Sequence, residues 1–397
     1  MKKIVDLFAG CGGLSLGFQN TGFDMAGAFE YWELAADCYE KNFNHRVFRE
    51  DLTNVESAVS IIKTLQPDII IGGPPCQDFS QAGNRIEDKR ASLTESFACI
   101  IEQIRPNWFV MENVDRVQKS ESYSSARSIL KNAGYGLTEI LLDASYCGVP
   151  QKRKRFFCIG SLGQGDGFLY DYILNNLNEK ETTVRDYFGN TLDFEYYYRH
   201  PRNYSRRAIY SIDEPAPTMR GMNRPVPPGY PGHANDACKL DESIRALTTL
   251  ERALIQTFPA DFKWIGNKTD MEQMIGNAVP VKLAEFVAKA LSYHIDNQRT
   301  LGESKFTVDY GSFYDWLRNV NKLSKRAERD TISRLKRANA ICEIRSFPDS
   351  YYVFRLEQSA EYKNLSPTIR SQLKRAVSLY SDYYMTVYRH TLEMDAI

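Results

Sequence analysis

Lys3-Ile4-Val5-Asp6-Leu7-Phe8-Ala9-Gly10-Cys11-Gly12-Gly13 opens as a short apolar run and stops at a glycine turn, after which Leu14 to Asn20 continues with helical spacing. A run of this kind suits a strand covered on both faces, and glycines at its end let the backbone turn sharply and approach a ligand. A glycine turn also serves plain strand-to-helix packing, so the rest of the chain must decide. Asp68-Ile69-Ile70-Ile71 is a second run, again closed by Gly72 and Gly73. Trp108-Phe109-Val110-Met111 is a third, after a helical stretch from Leu93 to Ile104. Leu137 to Leu142 and Phe156 to Ile159 read as further strands. Strands alternating with helices predict an α/β fold whose sheet is mainly parallel and covered on both faces.

The chain has 397 residues, too many for one average domain, with 43% hydrophobic and 12% aromatic content that suits a globular core. No apolar run approaches the roughly 20 residues that span a bilayer. The start, Met1-Lys2-Lys3-Ile4-Val5-Asp6, lacks the apolar stretch of a signal peptide, which predicts a cytoplasmic protein with no membrane partner. Eight cysteines are scattered without Cys-x-x-Cys pairs, which argues against a disulfide framework and against a zinc site. Net charge is zero, yet basic residues concentrate at 152–155, 199–207 and 322–337. Any one of these runs is as readily a solvated face as a phosphate-binding patch.

The periodicity divides the chain. Residues 1–162 carry the strand–helix alternation. Residues 163–245 lose it and are crowded with Tyr, Asn, Arg, Pro and Gly, including Tyr196-Tyr197-Tyr198 and Pro225-Val226-Pro227-Pro228-Gly229, which predicts a smaller, loop-rich domain. Helical signals return over 246–298: first from Arg245 to Phe258, then behind Pro280 with Val281, Ala284, Val287, Ala288 and Leu291 along one side. Residues 299–397 form a Tyr-, Arg- and Lys-rich, mostly helical extension. Within it Ser333-Arg334-Leu335-Lys336-Arg337-Ala338 echoes Ser371-Gln372-Leu373-Lys374-Arg375-Ala376, as a duplicated hairpin or by chance.

Chemistry gathers at the strand ends. Glu30 and Asp51 each follow an apolar or aromatic run, where a carboxylate can hold ribose hydroxyls or an adenine amine. Gly72-Gly73-Pro74-Pro75-Cys76-Gln77-Asp78-Phe79-Ser80 sends a strand into a stiff diproline loop that presents a cysteine. A cysteine is usually a small buried hydrophobe, but a structural one needs neither a rigid diproline before it nor polar residues behind it. Glu112-Asn113-Val114 follows the next strand, and Gln151-Lys152-Arg153-Lys154-Arg155 precedes the strand at Phe156.

This ordered set resembles the cytosine-5 DNA methyltransferase family: the glycine turn at 6–13, Pro-Pro-Cys-Gln at 74–77, Glu-Asn-Val at 112–114 and Gln-x-Arg-x-Arg at 151–155. Arg245-Ala246-Leu247-Thr248-Thr249-Leu250-Glu251-Arg252 and Gly276-Asn277-Ala278-Val279-Pro280 complete it. The resemblance runs from residue 4 to about 291 and implies a Rossmann-like, S-adenosylmethionine-dependent methyltransferase domain. It implies that 246–298 return to complete the catalytic unit of 1–162, and that 163–245 are the target-recognition domain. Residues 299–397 lie outside it and receive no role. Phe8, Ala9, Gly10, Gly12 and Gly13 would meet the methionine part of the cofactor, and Glu30 the ribose. Asp51 and Leu52 would flank the adenine, with Pro74, Leu93, Asn277 and Val279 closing the pocket. Many relatives carry Trp directly after the ribose-binding acid; here Tyr31 precedes Trp32, and either ring can stack on adenine.

What the resemblance implies for catalysis is that Cys76 adds as a thiolate to cytosine carbon 6, which makes carbon 5 nucleophilic toward the cofactor's methyl group. Glu112 would protonate N3, Arg155 hold the O2 edge and Arg153 orient the loop or a neighbouring phosphate; S-adenosylhomocysteine is the product. The cytosine must leave the duplex to reach such a site. Gln77, Ser80, Gln151, Arg199, Arg202, Arg206, Arg207, Arg220 and Arg224 are the candidate DNA contacts, most of them to phosphates. Double-stranded DNA is the implied partner of a monomer, alongside a restriction endonuclease acting on the same site without a stable complex. A transfer-RNA methyltransferase of the same family is the competing reading, and some eighty residues of recognition domain favour DNA. A binding protein derived from the enzyme would be expected to have lost Cys76 or Glu112. A nucleotide-dependent oxidoreductase is suggested by the glycine turn alone, and Pro-Pro-Cys-Gln speaks against it.

Overall fold

The computed structural model describes residues 2–75, 93–189, 191–201, 203, 205–297, 308–344, 352–353, 356–357 and 359–395. Cys76, Gln77, Ser80 and Arg202 lie outside the described residues. Seven strands form the main sheet: β1 (Lys3–Leu7), β2 (Asp24–Phe29), β3 (Val47–Phe48), β4 (Ile69–Gly72), β5 (Trp108–Val114), β6 (Tyr135–Asp143) and, after the two-residue β7 (Gln151–Lys152), β8 (Lys154–Leu162). Their spatial order is β3-β2-β1-β4-β5-β8-β6. Neighbours are parallel from β3 to β5, whereas β8 runs antiparallel to both β5 and β6. The strand expected at Phe156–Ile159 is therefore the exception in a mainly parallel sheet. β6 and β8 are linked by residues 144–153, shorter than the crossover that parallel pairing requires.

The apolar strands alternate faces with period two. Ile4, Ile69, Ile71, Trp108 and Val110 point into one core, with α1 (Gly13–Asn20) and α10 (Val281–Asn297). Val5, Leu7, Ile70, Phe109 and Met111 point into the other, with α3 (Val55–Leu65), α4 (Leu93–Ile104) and α5 (Glu121–Asn132). Between the first strands lies α2 (Glu33–Glu40). The late helix α10 packs on α1 so closely that a Cβ on Gly17 would stand 2.3 Å from that of Ala284.

Residues 163–245 contain α6 (Tyr170–Asn175), α7 (Val184–Phe188) and the short strands β9 (Tyr196–Tyr198), β10 (Ile209–Ser211) and β11 (Ala216–Pro217). Leu169, Tyr170, Ile173 and Leu174 pack in the core beneath β6, β8 and α10, so the first unit extends past residue 163. Two small cores, around Tyr197 with Leu247 and around Tyr198 with Tyr230, hold the rest of this region. Next come α8 (Thr249–Ile255) and α9 (Lys268–Asn277). The Thr248–Glu251 spacing seen in the sequence is a capping box at the start of α8, and Arg245 pairs with the same Glu251 at 2.7 Å.

The extension has its own core among α11 (Tyr310–Asn319), α12 (Lys325–Ile341), α13 (Ala360–Lys363) and α14 (Pro367–Asp395). The two echoing hexapeptides lie on α12 and α14. Each buries its Leu and Ala (Leu335 and Ala338, Leu373 and Ala376) and turns its Lys-Arg pair outward. No helix among the described residues is long and apolar enough to cross a membrane.

Candidate active site

The loops after β1 to β5 open at one edge of the sheet into a cavity of about 880 Å³. Phe8 to Cys11 follow β1, Glu30 to Trp32 follow β2, and Glu50 to Thr53 follow β3. Gly73 to Pro75 follow β4, and Glu112 to Val114 end β5. Arg155 joins them because β8 is antiparallel and begins at this edge, and Met274 and Gly276 to Val279 close the opposite wall. β2 and β3 lie to one side of β1, and β4 and β5 to the other. The cavity therefore straddles the switch point at which open α/β sheets take their ligands.

The glycine turn is bent by Phe8, Gly10 and Gly12, all with positive φ (62°, 57° and 96°). Its geometry is fixed from below: Gly10 N–H donates to Glu30 Oε2 at 2.7 Å, and Trp32 N–H donates to Glu30 Oε1 at 2.7 Å. Burial raises the Glu30 carboxyl above its ordinary value, and these backbone donors oppose the shift. A Cβ on Gly10 would meet nothing within 4 Å, so the turn presents bare backbone to the cavity. Tyr31 stands 69% exposed at the rim, while Trp32 is half-buried against Ala35 and Ala36; both line the cavity.

At the other end Arg155 Nε lies 2.8 Å from Glu112 Oε1, with both side chains largely covered. The β5–β8 register explains the pair: Arg155 sits opposite Val114, and Glu112 lies two residues back on the same face. Burial pushes the Glu112 carboxyl up, opposed by the charges of Arg155 and Arg153. Asn113, absent from the expected set, donates from Nδ2 to the Pro74 carbonyl at 2.9 Å and so ties the loop before Cys76 to the end of β5. Its signal was its place beside Glu112 at a strand end.

Of the expected cofactor residues, Phe8, Ala9, Gly10, Gly13, Glu30 and Tyr31 line the cavity, as do Asp51, Leu52, Pro74, Leu93, Asn277 and Val279. Gly12 does not. It is the left-handed N-cap of α1, and a Cβ there would stand 2.3 Å from the Phe43 ring, so its glycine is required by packing. Arg153, expected to orient the loop or a neighbouring phosphate, holds backbone carbonyls. Its guanidinium is buried and donates to the carbonyls of Met219 (2.9 Å), Gly276 (2.9 Å) and Ala278 (3.0 Å).

Gln151, expected on DNA, is fully buried between Gln256 Oε1 (2.8 Å) and Met219 N–H (2.8 Å), so it braces the joint instead. Among the arginines, Arg199 donates to the Thr218 carbonyl at 2.6 Å and Arg220 to the His200 carbonyl at 2.9 Å. Arg207 is clamped on Glu214 and stacks over Tyr210. Arg206 and Arg224 are exposed and make no ion pair among the described residues.

Comparison with known proteins agrees with this geometry. Residues 2–293 match the family described as C-5 cytosine-specific DNA methylase. The Type II methyltransferase M.HindV of Haemophilus influenzae is 56% identical over 291 residues, covering 73% of this chain and 96% of that protein. M.HgiDI of Herpetosiphon aurantiacus, another Type II methyltransferase, is 52% identical over 298 residues, covering 75% and 96%. Among solved structures, the S. pombe Dnmt2 methyltransferase shares the fold with a TM-score of 0.55 at 17% identity, over 74% of this chain and 98% of that one. A match over most of the chain, with relatives above half identical, leaves one assignment: the chain belongs to the C-5 cytosine-specific DNA methylase family.

Proposed function

We propose that the protein methylates carbon 5 of a flipped-out cytosine within a specific duplex DNA sequence, with Cys76 as nucleophile, as the modification partner of a restriction endonuclease. The observation that carries this reading is the continuity of the cavity. One end offers bare backbone, a fixed carboxylate and an exposed aromatic ring; the other offers the buried Glu112–Arg155 pair.

The residues fit S-adenosylmethionine. The volume suits a nucleoside-sized ligand together with a base. Glu30 keeps acceptor capacity for ribose hydroxyls beyond its two backbone donors, and the apolar Phe8, Leu52 and Val279 can line an adenine. When bound, the cofactor supplies an electrophilic methyl on sulfonium. The protein's own groups do the rest. The Cys76 thiolate adds to cytosine carbon 6 while Glu112, whose carboxyl burial raises above its ordinary value, delivers a proton toward N3. Arg155 then holds the O2 edge and the Glu112 carboxyl together. After carbon 5 takes the methyl it loses its proton, and the Cys76–carbon 6 bond breaks. Pro75, the residue before Cys76, lines the same cavity, which supports this role for the cysteine.

The test is covalent trapping. Wild-type protein should form a stable adduct with duplex DNA carrying 5-fluorocytosine at its target, because fluorine cannot leave as a proton does. Cys76→Ser should form none while still binding cofactor. Absence of an adduct on DNA that the protein methylates would overturn the mechanism.

A further inference from the structure

The charge of the molecule is divided unevenly. Residues 1–298, which contain the whole matched span, hold 33 Lys and Arg against 38 Asp and Glu, while residues 299–397 hold 17 against 12. The part that must hold a polyanion is thus net negative, and the part outside the family match is net positive.

The excess is focused on one helix. On α12, Lys325, Arg326, Arg329, Lys336 and Arg337 are all exposed. At 100° per residue they fall within one sector of about 120°, with Ser333 between them, and span about 18 Å of helix. None of the five forms an ion pair among the described residues. The acids of α12 are engaged elsewhere, Glu328 with Arg318 at 3.6 Å and Asp330 near Arg334 at 4.0 Å. The opposite face is fixed: Thr331, Leu335 and Ala338 are buried. An isolated stripe of like charge destabilises its own helix and is relieved by a polyanion laid along it.

The extension is also anchored on the catalytic unit, at the first turn of α6, where Tyr172 packs on Tyr293 of α10. Tyr384 on α14 donates to Asp171 Oδ1 on α6 at 3.1 Å and packs against the first core. The chain after α6 is pinned by bonds from Asn178 N–H to the Tyr146 carbonyl and from Thr182 N–H to the Ser145 carbonyl, both 2.8 Å. Residues 144–146 directly follow the C-terminal end of β6, at the edge that opens into the cavity.

We infer that the exposed face of α12 is a second, sequence-independent DNA-docking surface that grips backbone phosphates of the duplex flanking the target site. The inference rests on the DNA-methylating reading above. It gives the extension the task of supplying affinity that the net-negative catalytic part lacks.

The test uses the full chain with Lys325→Gln, Arg326→Gln, Arg329→Gln, Lys336→Gln and Arg337→Gln combined. On a duplex extending about one helical turn beyond the site on each side, log Kd against log salt should become shallower by roughly 2 to 4, at about 0.9 per lost phosphate contact. On a duplex trimmed to the site the change should be small, and the methylated cytosine should be the same on both. A companion variant that exchanges Lys for Arg and Arg for Lys at the same positions should keep the wild-type slope, which separates charge from helix damage. If the Gln variant stays folded by thermal melting and its slope equals that of wild type, the stripe is a solvated face and the inference is wrong. If wild-type protein itself neither binds nor methylates duplex DNA, the functional reading fails first.

Discussion

At the residue scale, the two ends of the cavity hold carboxyls that burial keeps protonated more readily than water would. In the proposed mechanism Glu112 acts on the chemistry. Its Gln variant keeps shape and a hydrogen-bond donor but cannot give up a proton, so kcat should fall by about 10² to 10⁴ with cofactor affinity little changed. Equal loss of cofactor binding would instead mark Glu112 as structural. Asp6, at the end of β1, matters for stability. It is fully buried, accepts from Ser15 at 2.5 Å through one oxygen, and leaves Oδ1 without a partner among the described residues. Burial first, then repulsion from Glu30, pushes its carboxyl up to about 8 against the opposing Ser15 bond. The folded state therefore holds a proton that the unfolded chain releases above about 4. That stabilisation is complete below about pH 4 and is lost as pH rises through about 8. Denaturant midpoints of ligand-free protein should fall over that window, and Asp6→Asn should flatten the fall. An unchanged slope would show that other groups carry it. Gly10, Glu30, Asp51 and Glu112 were legible as strand-end glycines and acids, whereas Leu52, Leu93, Asn277 and Val279 followed only from the family resemblance. Gly12 and Gln151 lie away from the cavity lining, which the sequence does not reveal because their motifs look alike whether the residue meets a ligand or braces the loop that does.

At the element scale, the joint behind the cavity is built from polar side chains that donate to carbonyls. Arg153, between β7 and β8, links the segment at Met219 to the loop at Gly276 and Ala278, and that loop lines the cavity. Gln256 on the end of α8 donates to the Ile275 carbonyl at 2.6 Å, and Arg252 on α8 pairs with Glu272 on α9, both buried. A Cβ on Gly276 would stand 2.2 Å from the Gly221 nitrogen, so the two backbones cross without room for a side chain. Arg153→Ala leaves the buried Met219 and Gly276 carbonyls without this donor, while Ala278 keeps Gln256 Nε2 at 3.2 Å, a cost of about 1–3 kcal/mol for each unsatisfied group. The melting temperature should drop, and KM for the cofactor should rise more than kcat falls, with partial rescue by Arg153→Lys. A fall in kcat alone would return Arg153 to the catalytic groups. Here β8 and α8 followed from apolar periodicity, whereas β7 and α9 were not foreseen. The antiparallel insertion of β8 and the reassignment of α6 to the first core did not follow from it either, because both depend on which partner lies across the sheet.

At the scale of the whole molecule, the proposed function assigns three tasks to three stretches of chain: chemistry to the sheet edge, site choice to the short-stranded region beyond α6, and general affinity to the extension. The second and third can be separated. Arg206 and Arg224 are exposed on the short-stranded region without ion-pair partners among the described residues, whereas Arg199, Arg220 and Arg207 are occupied by carbonyls or by Glu214. A side chain already held by protein is poorly placed to discriminate bases, so the free pair is the better source of sequence-dependent contact. The extension touches the catalytic unit through α6 and holds its own core, so its removal takes away no strand of the main sheet. A chain ending at Asn297 should therefore methylate the same cytosine in the same sequence, with weaker binding and a shallower salt dependence. Arg224→Gln in the full chain should instead lower the ratio of methylation at the true site to that at single-mismatch sites, because a good base contact discriminates by about 1–3 kcal/mol. Sequencing the methylation products of both proteins on a mixed-sequence duplex pool checks the pair. If the shortened chain changes its site, or if Arg224→Gln weakens all sites alike, site choice does not lie where the free arginines put it.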